Sequence, residues 1–265
     1  MYETHYHRAG SVDEATKLMA DAEGGKYVAG GQTLIPTMKQ RLAAPDSLID
    51  LRHIADLKGV TVNGKDVRIG AGTPHAEVAG STQLQAVCPG ICYLAGHIGD
   101  PHVRHMGTIG GSIANNDPAA DYPSAMLALD ATIHTSKREI SAGDFFIGMF
   151  ETALEEDEIV TAVSFTAPDK CAYSKFPNPA SRYAMAGVFV AKSGDGVRVG
   201  VTGAGMDGVF RWEEAEAALA SDFSAAALDG LSVNAGDMLE DLHGSSEYRA
   251  NLVKVMAKRA VAAIS

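Results

Sequence analysis

The chain has 265 residues, 46% hydrophobic and 21% charged, enough for a sizeable core spread over two or three lobes. Its formal net charge of −11 argues against nucleic acid or an acidic membrane as partner. Three cysteines, Cys88, Cys92 and Cys171, are too few for a disulfide scaffold or a four-thiolate cluster.

The thiols are expected reduced and semi-buried, as in a cytoplasmic protein. The N-terminus shows no basic-then-apolar leader, and no window approaches 18 uninterrupted apolar residues, so no membrane-spanning segment is expected. Ser11 and Glu14 form a capping-box signature, and Val12, Ala15, Leu18, Met19 and Ala22 follow at helical spacing, which predicts a helix over 12–23. A short strand is predicted over 26–29, running into a glycine turn, then a short helix over 34–41 and a strand over 47–51. This β-α-β unit makes a small lobe of residues 1–55. Val60–Val62 and Val67–Ile69 read as a hairpin turned by Asn63 and Gly64. Thr73 and Pro74 start a helix through Val78. Residues 83–98 read as helical, interrupted at Pro89 and Gly90. A short helix over 123–129 is followed by strands at 131–135, 138–140 and 158–165, with Phe145 and Phe146 opening a loop. Residues 167–179 carry three prolines and read as a turn-rich domain boundary. Beyond them, strands are predicted at 187–192 and 196–203, and helices at 212–220 and 248–264.

Two glycine-rich loops carry the chemistry. The first, at 28–36, contains Gly30 and Gly31; the second, at 106–121, contains Gly110 and Gly111. Neither loop contains Lys or Arg. A Gly-Gly turn flanked by Thr or Ser offers backbone N–H groups at close range, a way to hold a pyrophosphate without basic side chains. Two such loops suggest one elongated phosphate-bearing ligand between them, although a lone Gly-Gly turn serves equally for chain reversal. Asn115, Asn116, Asp117 and Asp121 follow the second turn and suit hydrogen bonding to ligand hydroxyls; capping of the helix at 123 is the other reading. There is no G-x-G-x-x-G opening a helix and no phosphate-binding Gly-Lys-Ser/Thr. His97, His102 and His105 lie close together, but Gly99, Pro101 and Gly107 argue against a regular helix presenting metal ligands, and no metal site is predicted. No Ser or Cys stands in a nucleophile-elbow context, so no catalytic side chain is assigned and a cofactor is expected to carry the chemistry.

Ala29 to Pro36, reading Ala-Gly-Gly-Gln-Thr-Leu-Ile-Pro, and Thr108 to Ser112, reading Thr-Ile-Gly-Gly-Ser, with Asp-Pro-Ala-Ala-Asp at 117–121, resemble two motifs of one family. This is the FAD-binding medium subunit of the molybdenum hydroxylases, the carbon monoxide dehydrogenase and xanthine dehydrogenase type. Arg41 to Leu51, Gly70 to Thr73, Thr152 to Leu154 with Glu158 and Ile159, and Glu247 to Leu252 are also similar, so the resemblance runs nearly end to end. It implies an α+β fold: a PCMH-type (vanillyl-alcohol-oxidase-like) two-lobed FAD-binding domain over 1–167, with lobes 1–55 and 56–167, and a smaller α+β domain over 168–265.

The resemblance also implies roles. Ala29, Gly30, Gly31, Gln32, Thr33, Leu34, Ile35 and Pro36, with Gly107, Thr108, Gly110, Gly111 and Ser112, are expected to hold the FAD pyrophosphate. Asp117 is expected among the FAD-binding residues, and Asp121 on a flavin-side hydroxyl or amide. Ile98 and Val160 match positions lining the isoalloxazine, and Lys175 or Tyr183 is expected near the ring. The partners implied are an iron–sulfur small subunit with two [2Fe–2S] clusters and a molybdopterin large subunit, in a dimer of heterotrimers. This chain would accept electrons on FAD and pass them to an external acceptor, in the cytoplasm, with peripheral attachment at the inner membrane left open. Gln32 stands where carbon monoxide dehydrogenases often carry His, so that position does not name the hydroxylase. The subtype with an inserted cysteine-bearing loop is not expected. Two other readings stay open: a stand-alone PCMH-fold flavin oxidase or reductase, and a nucleotide-binding or scaffold module that has lost FAD.

Overall fold

The structure, a computed structural model, describes residues 1–194 and 196–264. A three-stranded parallel sheet in the order His5–Arg8, Ser47–Asp50, Gly25–Val28 forms the N-terminal lobe. All four residues of the central strand are buried, as expected of a parallel strand flanked on both sides. The helix Val12–Ala20 closes this sheet. Ser11 Oγ accepts the Glu14 N–H, and the Glu14 carboxylate reaches back to the Gly10 N–H. Ala15 and Met19 pack on Ile49, Leu51, Ile54 and Leu57. The helix stops three residues short of expectation, and the strand His5–Arg8 is an addition.

A five-stranded antiparallel sheet follows, in the order Val60–Asn63, Asp66–Gly70, Val160–Thr166, Thr132–Thr135, Glu139–Ser141. Its apolar face meets the helices Pro89–Gly96, Ile109–Asn115 and Tyr122–Ala128 in the main core, where Ile69, Val163 and Ile133 face Ile91, Leu94, Ile113 and Met126. A four-stranded antiparallel sheet, Lys170–Pro177, Ala184–Ser193, Gly196–Thr202 and Phe210–Arg211, lies beyond. One face of it carries the helices Glu213–Ser221 and Ser246–Ala262. The other face sends Cys171, Tyr173, Phe189 and Ala191 into the main core. The approach is tight: a Cβ on Gly200 would lie 2.0 Å from the Ser124 carbonyl oxygen. The α+β class is as expected.

Four local expectations need correction. Residues 101–106 form a helix, because Asp100 accepts the Val103 N–H and Pro101 takes the first helical position, where its missing N–H costs nothing. The second glycine motif is a helix, Ile109–Asn115, and not an irregular loop, with Thr108 as its cap. The turn-rich boundary holds the eight-residue strand Lys170–Pro177, flanked by Pro168 and Pro179 and ending in Pro177. Phe145 ends the short helix Ala142–Phe145, and Phe146 begins a hairpin of Phe146–Gly148 with Glu151–Thr152. The 83–98 region is two helices, Thr82–Val87 and Pro89–Gly96, and the expected interruption falls at Cys88, directly before Pro89. All three cysteines are buried and free, with Cys88 and Cys171 Sγ 3.4 Å apart. Among the described residues no helix is long and apolar enough to cross a membrane.

Candidate cofactor-binding cleft

A cleft of about 890 Å³ opens between the small parallel sheet and the main core. Both glycine motifs line it, and they touch each other. A Cβ on Gly30 would lie 2.2 Å from the Met106 carbonyl oxygen and 2.6 Å from Gly107 Cα, so glycine is what allows this contact. Gly31 has φ +69°, in the left-handed region. The turn it makes leaves the N–H groups of Gly30, Gly31, Gln32, Thr33 and Leu34 without an acceptor among the described residues. Five successive free donors on a cleft wall form an anion-binding concavity.

The second motif differs. Its first-turn N–H groups are already used: Ile109 donates to Thr73 O, Gly110 to Ala71 O and Gly111 to Thr108 Oγ1. Its two glycines also serve different ends. A Cβ on Gly110 would collide with Ala71, 2.4 Å from its Cβ and 2.7 Å from its carbonyl oxygen. A Cβ on Gly111 would meet only Thr108 Oγ1, at 3.0 Å. Gly110 is therefore required by packing, whereas Gly111 keeps the cleft side clear.

Of the predicted site residues, Ala29, Gly30, Gly31, Gln32, Thr33 and Leu34 line the cleft from the first motif, and Gly107, Thr108, Gly110, Gly111 and Ser112 from the second. Ile98, Asp117, Asp121 and Val160 complete the set, and Tyr183 lines it as well. Ile35, Pro36 and Lys175 do not line it. Ile35 and Pro36 continue into the helix Leu34–Lys39 behind the loop. Lys175 lies behind Asp121, its ammonium 2.9 Å from Oδ1 and 3.0 Å from Oδ2, and the Tyr173 hydroxyl donates to Oδ1 at 2.5 Å. Burial raises the Asp121 carboxyl above the usual carboxylate range, while the Lys175 ammonium and Tyr173 hydroxyl pull it back. The capping alternative for Asp121 does not hold, since its side chain caps nothing in the helix Tyr122–Ala128.

The sequence reading missed two kinds of cleft residue. His75 is buried on the wall, and its Nδ1 has no partner among the described residues. Its position straight after Thr73 and Pro74 was the available signal. Lys26, Arg52, Lys58 and Arg182 also line the cleft, so the loops lack basic residues but the walls do not. Arg52 is already spent on Asp50, donating from Nε and Nη2 at 2.8–3.1 Å.

The family model described as the FAD binding domain in molybdopterin dehydrogenase matches residues 2–168. The chain belongs to this family. It is an FAD-binding medium subunit of the molybdenum hydroxylases, and so part of an oxidoreductase. It is 35% identical to the carbon monoxide dehydrogenase medium chain of Afipia carboxidovorans, over 97% of this chain and 94% of that one. It is 33% identical to the nicotine 6-hydroxylase medium subunit of Paenarthrobacter nicotinovorans, over 97% of this chain and 95% of that one. Among solved structures, a carbon monoxide dehydrogenase from Hydrogenophaga pseudoflava that lacks the Mo-pyranopterin moiety superposes with a TM-score of 0.88. That match has 34% identity and covers 99% of this chain and 97% of the other. Relatives at similar identity carry different substrates in their names, carbon monoxide and nicotine.

Proposed function

We propose that the cleft is the FAD site of this medium subunit. In this reading the chain takes electrons from the [2Fe–2S] clusters of a partner subunit and passes them to an external acceptor. The observation that carries it is the run of five free N–H groups from Gly30 to Leu34, held against the second motif by the contact of Gly30 with Met106. Those donors suit the pyrophosphate, with Thr108 and Ser112 offering hydroxyls from the facing helix. Asp117 and Asp121 supply acceptors for hydroxyl or amide groups, and Lys175 and Tyr173 hold the Asp121 carboxylate in place. Ile98 and Val160 would give the apolar wall an isoalloxazine needs, and Tyr183 lines the same cleft. Bound FAD supplies the redox chemistry, taking electrons one or two at a time; no side chain of this chain is needed as acid or base on the substrate.

In this reading residues 1–167 are the PCMH-type domain and 168–265 the smaller domain that completes the cleft with Ser181, Arg182 and Tyr183. The partners are an iron–sulfur small subunit and a molybdopterin large subunit, assembled as a dimer of heterotrimers in the cytoplasm. Relatives named as medium chains and subunits favour this over a stand-alone flavoenzyme. The test is co-expression with the two partner chains and purification through a tag on this one. Iron, molybdenum and flavin eluting together in fixed ratio is the expected result. A chain that elutes alone, with flavin reduced directly by an added substrate, would overturn the subunit reading.

A further inference from the structure

We propose that the hairpin Phe146–Gly148 with Glu151–Thr152 is the docking knob for the iron–sulfur subunit, whose receiving surface is an apolar pocket rimmed by Lys and Arg. This rests on the subunit reading above and names the surface that reading requires.

The knob is apolar and faces solvent. Ile147, Met149 and Phe150 are 58%, 46% and 62% exposed, and Met206 on the adjoining loop is 48% exposed. The two loops lie side by side, since a Cβ on Gly208 would sit 3.8 Å from backbone atoms of Gly148 and Met149. Large apolar side chains exposed together mark an interaction surface.

The knob is also rigid and strained. Phe150 has φ +58°, a left-handed conformation unfavourable for a bulky aromatic residue. Buried Asn116, itself left-handed at φ 43°, enforces it. The Asn116 amide donates to the carbonyls of Gly148 at 2.7 Å and Glu151 at 2.9 Å, and its own carbonyl accepts the Phe150 N–H at 2.9 Å. A pre-set aromatic on a held loop loses little entropy on binding, which is the character of an interface anchor. Strain of this kind persists where the surrounding structure holds it for a use.

Charge selects the occupant. From Glu139 to Asp169 there is no Lys or Arg. Lys137 and Arg138 pair with Glu155, Asp157 and Glu158, which leaves Asp144, Glu151 and Glu156, with Asp207 on the adjoining loop, as acidic groups that form no ion pair among the described residues. A partner with basic residues around an apolar pocket complements this rim; another acidic copy of this chain does not. Position selects the subunit. Asn116 ends the helix Ile109–Asn115, which lines the cleft through Gly111, Ser112 and Asn115, and Thr152 at the hairpin's end lines it too. A subunit that delivers electrons to the cleft must sit at its edge, where the knob is.

The experiment uses the tagged full chain, loaded with FAD and titrated with the purified iron–sulfur subunit. The variant combines Ile147→Ser, Met149→Ser and Phe150→Asn; asparagine tolerates positive φ, so the hairpin keeps its shape. Leu242→Ser, at an exposed site elsewhere, is the control, and bound flavin and Tm report folding. The expected result is a Kd raised roughly tenfold or more in the triple variant and unchanged in the control. Glu151→Lys should slow association and flatten its salt dependence. Unaltered affinity in the triple variant overturns the knob while leaving the subunit reading intact. A wild-type chain that binds no iron–sulfur subunit overturns the subunit reading and the knob with it.

Discussion

His75 shows how one side chain ties the cleft to pH. Its ring is 4% exposed, and burial, reinforced by the charge of Arg104, lowers its imidazole to about 4. An unfolded chain protonates this residue below about 6.5. Between these values the unfolded chain binds the extra proton, so stability falls as pH falls through that window, by about 3 kcal/mol in all. His134, also lowered by burial, acts in the same direction. Asp50 and Glu158 act lower. Burial works against each carboxylate, but hydrogen bonds from Arg52 and from Arg138 outweigh it and bring both to about 2. Their stabilisation is present above the unfolded carboxylate values and is lost as pH drops from about 4 towards 2. Thermal melts from pH 7 to 4 should therefore show a shallower acid-side decline for His75→Gln than for wild type. Equal slopes would mean His75 is not held neutral. The two glycines of the second motif separate in the same kind of assay. Gly110→Ala should lower stability by about 1–3 kcal/mol through overpacking against Ala71. Gly111→Val should leave Tm nearly unchanged while FAD is lost on desalting. From sequence alone the two were one motif; only the Ala71 contact separates packing from binding.

Among the elements, the loop-to-helix junction at Asn116 matters most. Asn116→Ala removes the two bonds that hold the hairpin carbonyls and places alanine at positive φ. A loss of about 1–3 kcal/mol is expected, with faster amide exchange in residues 146–152 measured by mass spectrometry. Unchanged exchange there would show that the hairpin stands without the clamp. Elements with a local chemical signal were legible in the sequence. The hairpin Val60–Asn63 with Asp66–Gly70 follows from Asn63 and Gly64, and Gly64 takes the positive φ such a turn needs. The helix Val12–Ala20 follows from Ser11. Elements that depend on distant partners were not legible. The strand Lys170–Pro177 hides among prolines that flank it, and its pairing with Ala184–Ser193 outweighs them. The helix Pro101–Met106 hides between glycines that act as its borders. The lining of the cleft by Lys26, Arg52, Lys58 and Arg182 is tertiary and has no local sign.

The whole molecule is knit across the proposed boundary at 167. Cys171, Tyr173, Phe189 and Ala191 complete a core whose other members come from residues 67–167. A fragment ending at 167 should uncover Ile91 and Cys88, melt well below the full chain and bind hydrophobic dyes, whereas the full chain should melt in one transition. The cleft, too, is a product of the assembled chain, because both glycine motifs and Ser181, Arg182 and Tyr183 contribute to it. The measurement that tests this account most directly is the flavin content of the purified full chain. Absorbance would be recorded before and after incubation with FAD and desalting, for wild type and Gly111→Val side by side, and repeated on the complex co-expressed with the partner subunits. The account predicts about one FAD per wild-type chain and almost none in the variant. A wild-type chain that stays colourless even within the complex, or a variant that keeps its full flavin, would contradict it.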